Sequence, residues 1–315
     1  MKLLVFLPCL NEADTVAAVI RAIPRAFIGI SCVDILVVDD GSTDASASVA
    51  QEAGAVVISH SSNRGVGAAF RTAVQYALSN GYDFLTNIDA DGQFDPNEIA
   101  SLIQPLLEGK ADFVSGSRFL EKTPIEHMSG IKRWGNYRMS ALISQLAGRK
   151  FYDVSCGFRA YSREALLRLN LQGKFTYTQE VFLNLAFQGL RIQEVPIQVR
   201  YFPGRQSRVA GNLVAYAWKT IKIILKTYRD YRAFHFFTFL AVIMWSVGSA
   251  LLLFLLTWWW HHGRFTPHIW SGFVGGACMF TGFIFFTLGM MADMFTRLRT
   301  HLEELLYLER KKNLE

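Results

Sequence analysis

The chain has 315 residues, 51% hydrophobic and 18% charged, with a formal net charge of +6. Many of its Lys and Arg residues follow position 190, around an apolar C-terminal third, which assigns the basic charge to an anionic membrane surface and excludes nucleic acid as the partner. Cys9, Cys32, Cys156 and Cys278 are scattered, with no CxxC pair and no zinc-like spacing, so they read as isolated small hydrophobes in a reducing compartment.

The first ten residues, MKLLVFLPCL, imitate a signal peptide, but the run is too short. Asn11, Glu12 and Asp14 stand where small cleavage-site residues belong, so a buried first strand is expected instead. Further short runs rich in β-branched or aromatic residues follow: VDILVVDD, AVVIS, YDFLTNID and ADFVSGS. Between them lie NEADTVAAVIRAI, TDASASVAQEAG, GAAFRTAVQYALSNG and DPNEIASLIQPLLEG, each with apolar residues at helical spacing. Apolar strands alternating with helices predict a doubly wound α/β domain, a mostly parallel sheet with helices on both faces. Ligands bind such sheets beyond the carboxyl ends of the strands. Asn11, Glu12, Asp39, Asp40, Asp89 and Asp91 end these runs and are therefore expected at one rim.

The remainder is membrane-like. Residues 234–260 and 268–291 are mostly apolar, each longer than the roughly 20 residues that cross a bilayer. Trp258, Trp259, Trp260 and Trp270 suit an interfacial aromatic belt. One Arg lies between the spans, against Lys219, Lys222, Lys226, Arg229 and Arg232 before them and Arg297, Arg299, Arg310, Lys311 and Lys312 after them. The positive-inside rule puts both termini and the α/β domain in the cytoplasm. Trp218, Ile221, Leu225 and Tyr228 form an apolar stripe with a basic stripe one residue on, which predicts a helix lying in the membrane surface. The expected division is a catalytic domain over 1–210, a juxtamembrane helix over 211–233, two spans over 234–292 and a helical tail over 293–315. Leu298, Leu302 and Leu305 give the tail one apolar side, a pattern compatible with a homo-oligomer and too short to require one.

Asp89 and Asp91 raise a question of charge. At period-2 spacing two carboxylates project from the same side of an extended backbone and repel. A divalent cation between them would resolve the repulsion; an ordinary acidic turn is the alternative. NRGVGAAF, residues 63–70, could pass for a dinucleotide fingerprint, but Phe70 replaces the third glycine and the segment does not belong to the first strand–helix unit.

Taken in order, LPCLNE, VVDDGSTD and DADGQ resemble the motifs of family 2 glycosyltransferases of the GT-A fold, and most closely the polyprenyl-phosphate sugar synthases. The resemblance covers roughly residues 3 to 210. It implies that Pro8, Asn11, Glu12, Asp39 and Asp40 line the pocket for the nucleotide of a UDP- or GDP-linked sugar donor. Asp91, with Gln93, would hold Mg2+ or Mn2+ at the donor diphosphate, while Asp89 faces ribose or sugar. For DDGSTD, a helix start capped by Ser42 or Thr43 is compatible with that reading. An N-x-G-x-G-x-A segment like that at 63–69 flanks the donor pocket in the synthases.

The implied acceptor, a polyprenyl phosphate, is a dianion that needs cations to aim it rather than a strong base. Candidates are Arg118, Arg133, Arg205, Ser207 and Arg208, because guanidinium groups grip phosphate oxygens two at a time. An exposed surface Arg is the alternative at each. The synthases commonly carry Ser-Lys where this chain has Ser207-Arg208. DVSCGFRAYSRE, residues 153–164, resembles a family segment near the acceptor, where Asp153 and Arg159 either shape the site or pair with each other. Thr178, Gln179 and Glu180 are further candidates.

The expected function is transfer of one sugar to the lipid at the cytoplasmic face by an integral membrane enzyme. A processive polysaccharide synthase is the main rival. Its Q-x-x-R-W motif lacks the Gln here, where Gly130-Ile131-Lys132-Arg133-Trp134 stands, and two spans are few for a polymer channel. A non-catalytic scaffold would have lost rim carboxylates, and all are present.

Overall fold

The computed structural model describes residues 1–121, 128, 130–170, 178–200, 218, 221–222, 225–226, 228–229 and 232–312. Contacts divide the chain into two units, Met1–Ile224 with Leu306–Glu315, and Leu225–Leu305.

In the first unit, β1 (Lys2–Cys9), β2 (Cys32–Asp39), β3 (Val56–Ser59) and β4 (Phe84–Asn87) alternate with α1 (Ala13–Ala22), α2 (Ser46–Glu52) and α3 (Val66–Ser79). Then come α4 (Ile99–Leu107), β5 (Phe113–Ser117), α5 (Gly130–Ala147), β6 (Arg159–Ser162), α6 (Arg163–Arg168), α7 (Thr178–Phe187) and β7 (Ile192–Pro196). One sheet results, in the order β3-β2-β1-β4-β6-β5-β7. All the strands and helices expected from the apolar runs form.

β1 explains why the sheet is covered twice. Leu3, Val5 and Leu7 pack with Val16, Ile20, Ile99 and Leu102 on one face, whereas Leu4 and Phe6 pack with Phe70, Leu85 and Tyr161 on the other. Side chains alternate along a strand, so a run apolar at every position must be buried on both sides. Each such side chain contributes about 1.5–3 kcal/mol on burial.

The parallel register of β1 with β2 and β4 sets Cys9 beside Asp39 and Phe6 beside Asn87, aligning the carboxyl ends of the three strands. β6 runs antiparallel to both β4 and β5, with Arg159 opposite Asn87. The chain thereby re-enters the rim at the segment just before β6. That reversal makes the sheet mixed, and apolar runs carry no mark of strand direction.

One local expectation is corrected. Neither Ser42 nor Thr43 caps α2, which begins later, after Ala45, with the Ser46 amide and hydroxyl donating to Asp44 at 3.0 and 2.5 Å. The Ser42 hydroxyl instead accepts from the Asn11 amide at 2.9 Å.

The second unit contains α8 (Ala233–His262), 30 residues and about 45 Å long at 1.5 Å per residue, and most of α9 (Ile269–Lys312). Both helices are long and apolar enough to span a bilayer. Large apolar side chains such as Phe239, Leu253, Phe273 and Phe280 are exposed along them. Glycines let the helices touch: a Cβ at Gly248 would lie 2.9 Å from the Gly275 carbonyl, and the Trp245 indole donates to the Met279 carbonyl at 3.2 Å. The second span and the tail form one continuous helix. Its last turns belong to the first unit, where the Tyr307 hydroxyl meets Glu164 at 2.9 Å and Arg310 donates to the Leu167 carbonyl at 3.0 Å. Trp218, Ile221, Leu225 and Tyr228 are all helical, and the first three are exposed.

Candidate active site

The rim is assembled by the ends of β1, β2, β3, β4 and β5. Asn11, just past β1, adopts a left-handed backbone at φ 50°, unusual for a residue with a Cβ. Its carbonyl oxygen Oδ1 accepts from the Thr43 amide at 2.8 Å, and its own amide donates to Ser42. The Glu12 amide donates to Ser46 at 2.7 Å. These bonds tie the loop after β1 to the loop after β2, with half-buried Pro8 at the end of β1 beside them.

Asp39 and Asp40 are buried and have different partners. Asp39 accepts from the Ser42 amide at 3.0 Å, closing its own turn. Asp40 accepts from the Arg64 amide at 3.0 Å, the Gly65 amide at 2.7 Å and Nδ1 of His60 at 2.7 Å. Nε2 of His60 meets the Thr72 hydroxyl at 3.0 Å. Asp40 thus gathers the loop that opens α3, where Gly65 takes φ 88°.

Past β4, Asp89 and Asp91 face the end of β1. Thr15 links them to it: its hydroxyl lies 2.8 Å from the Ala90 carbonyl and 3.2 Å from Oε2 of Glu12. Asp91 accepts from the Gln93 amide at 3.0 Å. Asp89 lies against Gly157, where a Cβ would come within 3.1 Å of its Oδ2. Burial pushes Asp89 up to about 7, the negative charge of Asp91 pushes the same way, and Arg118 and Arg159 pull against both. The Asp91 carboxylate and the side-chain carbonyl of Gln93, both hard oxygen donors, suit a Mg2+ or Mn2+ ion. Among the described residues no group of three or more His, Cys, Asp or Glu side chains is arranged to hold an ion alone, so further oxygens must come from elsewhere.

Arg118 follows β5 and reaches Asp153. Its Nε and Nη2 donate to the two carboxylate oxygens at 2.6 and 2.9 Å, and its amide donates at 3.1 Å. Burial alone would raise the pKa of Asp153; the Arg118 charge and hydrogen bonds outweigh it and hold the carboxyl below its ordinary value. Asp153 and Arg159 therefore do not pair with each other. Arg159, fully buried against Phe113 and Phe182, donates to the carbonyls of Cys156, Thr178 and Val154 at 2.8, 2.8 and 3.0 Å. Gln179 and Glu180 are buried at the start of α7. Arg133 is exposed on the first turn of α5. Arg205, Ser207 and Arg208 lie outside the described residues.

A family model for glycosyl transferase family 2 matches residues 4–169, more than half the chain and every strand end just described. The chain belongs to that family. The transferase is 28% identical to a polyprenol monophosphomannose synthase of Mycolicibacterium smegmatis over 62% of its own length and 76% of the relative's. It is 26% identical to an undecaprenyl-phosphate mannosyltransferase of Micrococcus luteus, over 69% and 91%. A UDP-N-acetylglucosamine–dolichyl-phosphate N-acetylglucosaminyltransferase of Methanococcus voltae is 29% identical over 58% and 81%. In fold, the transferase resembles glucosyl-3-phosphoglycerate synthase of Mycobacterium tuberculosis, solved with Mn2+, UDP-glucose and phosphoglyceric acid. The TM-score is 0.58, over 72% of this chain and 79% of that one at 23% identity.

Three residues of the transferase's rim escape a reading of motifs. His60 directly follows β3, the position that flags a rim residue in such a sheet. Thr15 lies one turn into α1 and offers no sequence signal. Glu194 is a half-buried carboxylate beside Gln193 in the short strand β7 and belongs to no motif.

Proposed function

We propose that this glycosyltransferase moves a single sugar from a UDP- or GDP-linked donor to a polyprenyl phosphate at the cytoplasmic face of a membrane. The observation that carries the reading is the gathering of Asp89 and Asp91 with the ends of β1 and β2, at a point where burial and mutual repulsion lift Asp89 to about 7. The relatives whose names specify polyprenyl or dolichyl phosphate support the acceptor class.

Pro8, Asn11, Glu12 and Asp39 border the donor nucleotide, carboxylates accepting from base N–H and ribose hydroxyls. Asp40 acts from behind, holding residues 63–65 in place. Asp89 faces the ribose or sugar. Asp91 and Gln93 are the metal ligands, and a bound Mg2+ or Mn2+ would neutralise charge on the departing diphosphate. Arg118, with Arg133, Arg205, Ser207 and Arg208, screens and aims the acceptor phosphate, itself a competent nucleophile. The spans and the Trp218–Tyr228 stripe keep the enzyme where that lipid resides, both termini cytoplasmic under the positive-inside rule.

The test incubates membranes containing the protein with a panel of labelled UDP- and GDP-sugars and divalent ions. One donor should give organic-soluble label in a single-sugar lipid, and Asp91→Asn should abolish it. A long glycan product, or full activity in Asp91→Asn, would overturn the proposal.

A further inference from the structure

Glu194 sits on β7, opposite Ser115 of β5 in a parallel pair. It is remote in sequence from every rim motif. One carboxylate oxygen accepts the Asp153 amide at 2.7 Å and the other the Tyr152 amide at 2.8 Å. Two adjacent backbone donors on the two oxygens of one side chain fix both the position and the tilt of that peptide segment. The direction in which the Asp153 side chain leaves the backbone is fixed with them.

Asp153 uses that direction fully. Its Oδ2 receives the Arg118 amide and Nε; its Oδ1 receives Arg118 Nη2 and the Ser155 amide, the last at 3.2 Å. A carboxylate offers about four acceptor sites, so this one is saturated and leaves Arg118 one orientation. A continuous chain of hydrogen bonds therefore runs from Glu194 through the Asp153 segment to Arg118. Burial pushes the Glu194 carboxyl up, a cost that the two amide bonds offset in part.

We infer that Glu194 is a positioning residue of the acceptor side, setting the guanidinium of Arg118 toward the lipid phosphate through Asp153; this rests on the acceptor role of Arg118 proposed above. Gln at this position keeps the size but has one acceptor oxygen, so its amide would confront one of the two N–H groups. Asp keeps both oxygens and draws them back by one methylene.

The experiment measures binding of a short-chain polyprenyl phosphate, and in parallel of UDP and GDP, to the full-length chain in detergent. Glu194→Gln should weaken lipid phosphate binding roughly five- to tenfold, the scale of one ordinary hydrogen bond lost, with nucleotide binding unchanged. Glu194→Asp should restore part of the affinity. Combined with Arg118→Lys, Glu194→Gln should add little, because the two changes act on one contact. A Glu194→Gln protein that melts earlier yet binds the lipid phosphate normally, while Arg118→Lys binds it poorly, would overturn the inference and leave the acceptor reading standing. Normal binding by Arg118→Lys, or none by the unaltered protein, would overturn the acceptor reading and the inference with it.

Discussion

Asp153 grips Arg118 by both oxygens, through Nε at 2.6 Å and Nη2 at 2.9 Å, with the carboxylate fully buried and the arginine nearly so. Removing one partner of such a pair leaves an uncompensated buried charge, which costs about 3–5 kcal/mol. Asp153→Asn is therefore expected to lower stability on that scale, read as a fall in the melting temperature in detergent. It should also weaken acceptor binding more than donor binding, since Arg118 loses its aim. Equal loss for both substrates would mean that the pair supports the fold alone.

The same pair gives a pH dependence. The carboxyl of Asp153 is held below its ordinary range in the folded chain, so the folded state binds its proton less readily than the unfolded state does. Its stabilisation is complete above the unfolded carboxylate value of about 3.9 and is lost as pH falls through the lower folded value. Melting temperatures recorded from pH 6 to 3 should show an acid limb that is shallower in Asp153→Asn. An unchanged limb would assign acid sensitivity to other carboxylates.

On the donor side, Asp40 is held between His60 and the amides of Arg64 and Gly65. His60→Ala removes the bonds to Asp40 and Thr72 and frees the loop that opens α3. Re-ordering that loop on substrate binding costs on the order of 1 kcal/mol, roughly a fivefold rise in donor KM with kcat preserved. Steady-state kinetics with the active nucleotide sugar check this. A fall in kcat with constant KM would place His60 in the chemistry instead.

The sheet and its rim were legible because the code is local. Apolar strands ending in Asn11, Asp39, Asp40, Asp89 and Asp91 fix a parallel sheet, and register then brings those ends together. What escaped depends on direction and distance. No pattern marks β6 as antiparallel, yet that reversal carries Asp153 and Gly157 to the rim. Proximity in sequence offers Arg159, six residues on, as one possible partner for Asp153, whereas the observed partner, Arg118, is 35 residues away. A buried arginine can instead be satisfied by carbonyls, as Arg159 is, and charge counting does not anticipate that.

The helical hairpin supplies a last prediction, independent of the chemistry. Between apolar helices in lipid, association depends on close packing rather than on exclusion of water, so small residues at the seam matter most. A Cβ at Gly282 would lie 2.6 Å from Nε1 of Trp245 and nearer still to its Cδ1. The ring cannot yield without breaking its bond to the Met279 carbonyl. Gly282→Ala should therefore destabilise the hairpin by about 1–3 kcal/mol, the usual cost of overpacking, while Gly276→Ala, which meets no atom within 4 Å, should not. Thermal unfolding of both variants in detergent, followed by Trp fluorescence, tests the difference. Equal melting temperatures would show that α8 and α9 do not rely on that contact.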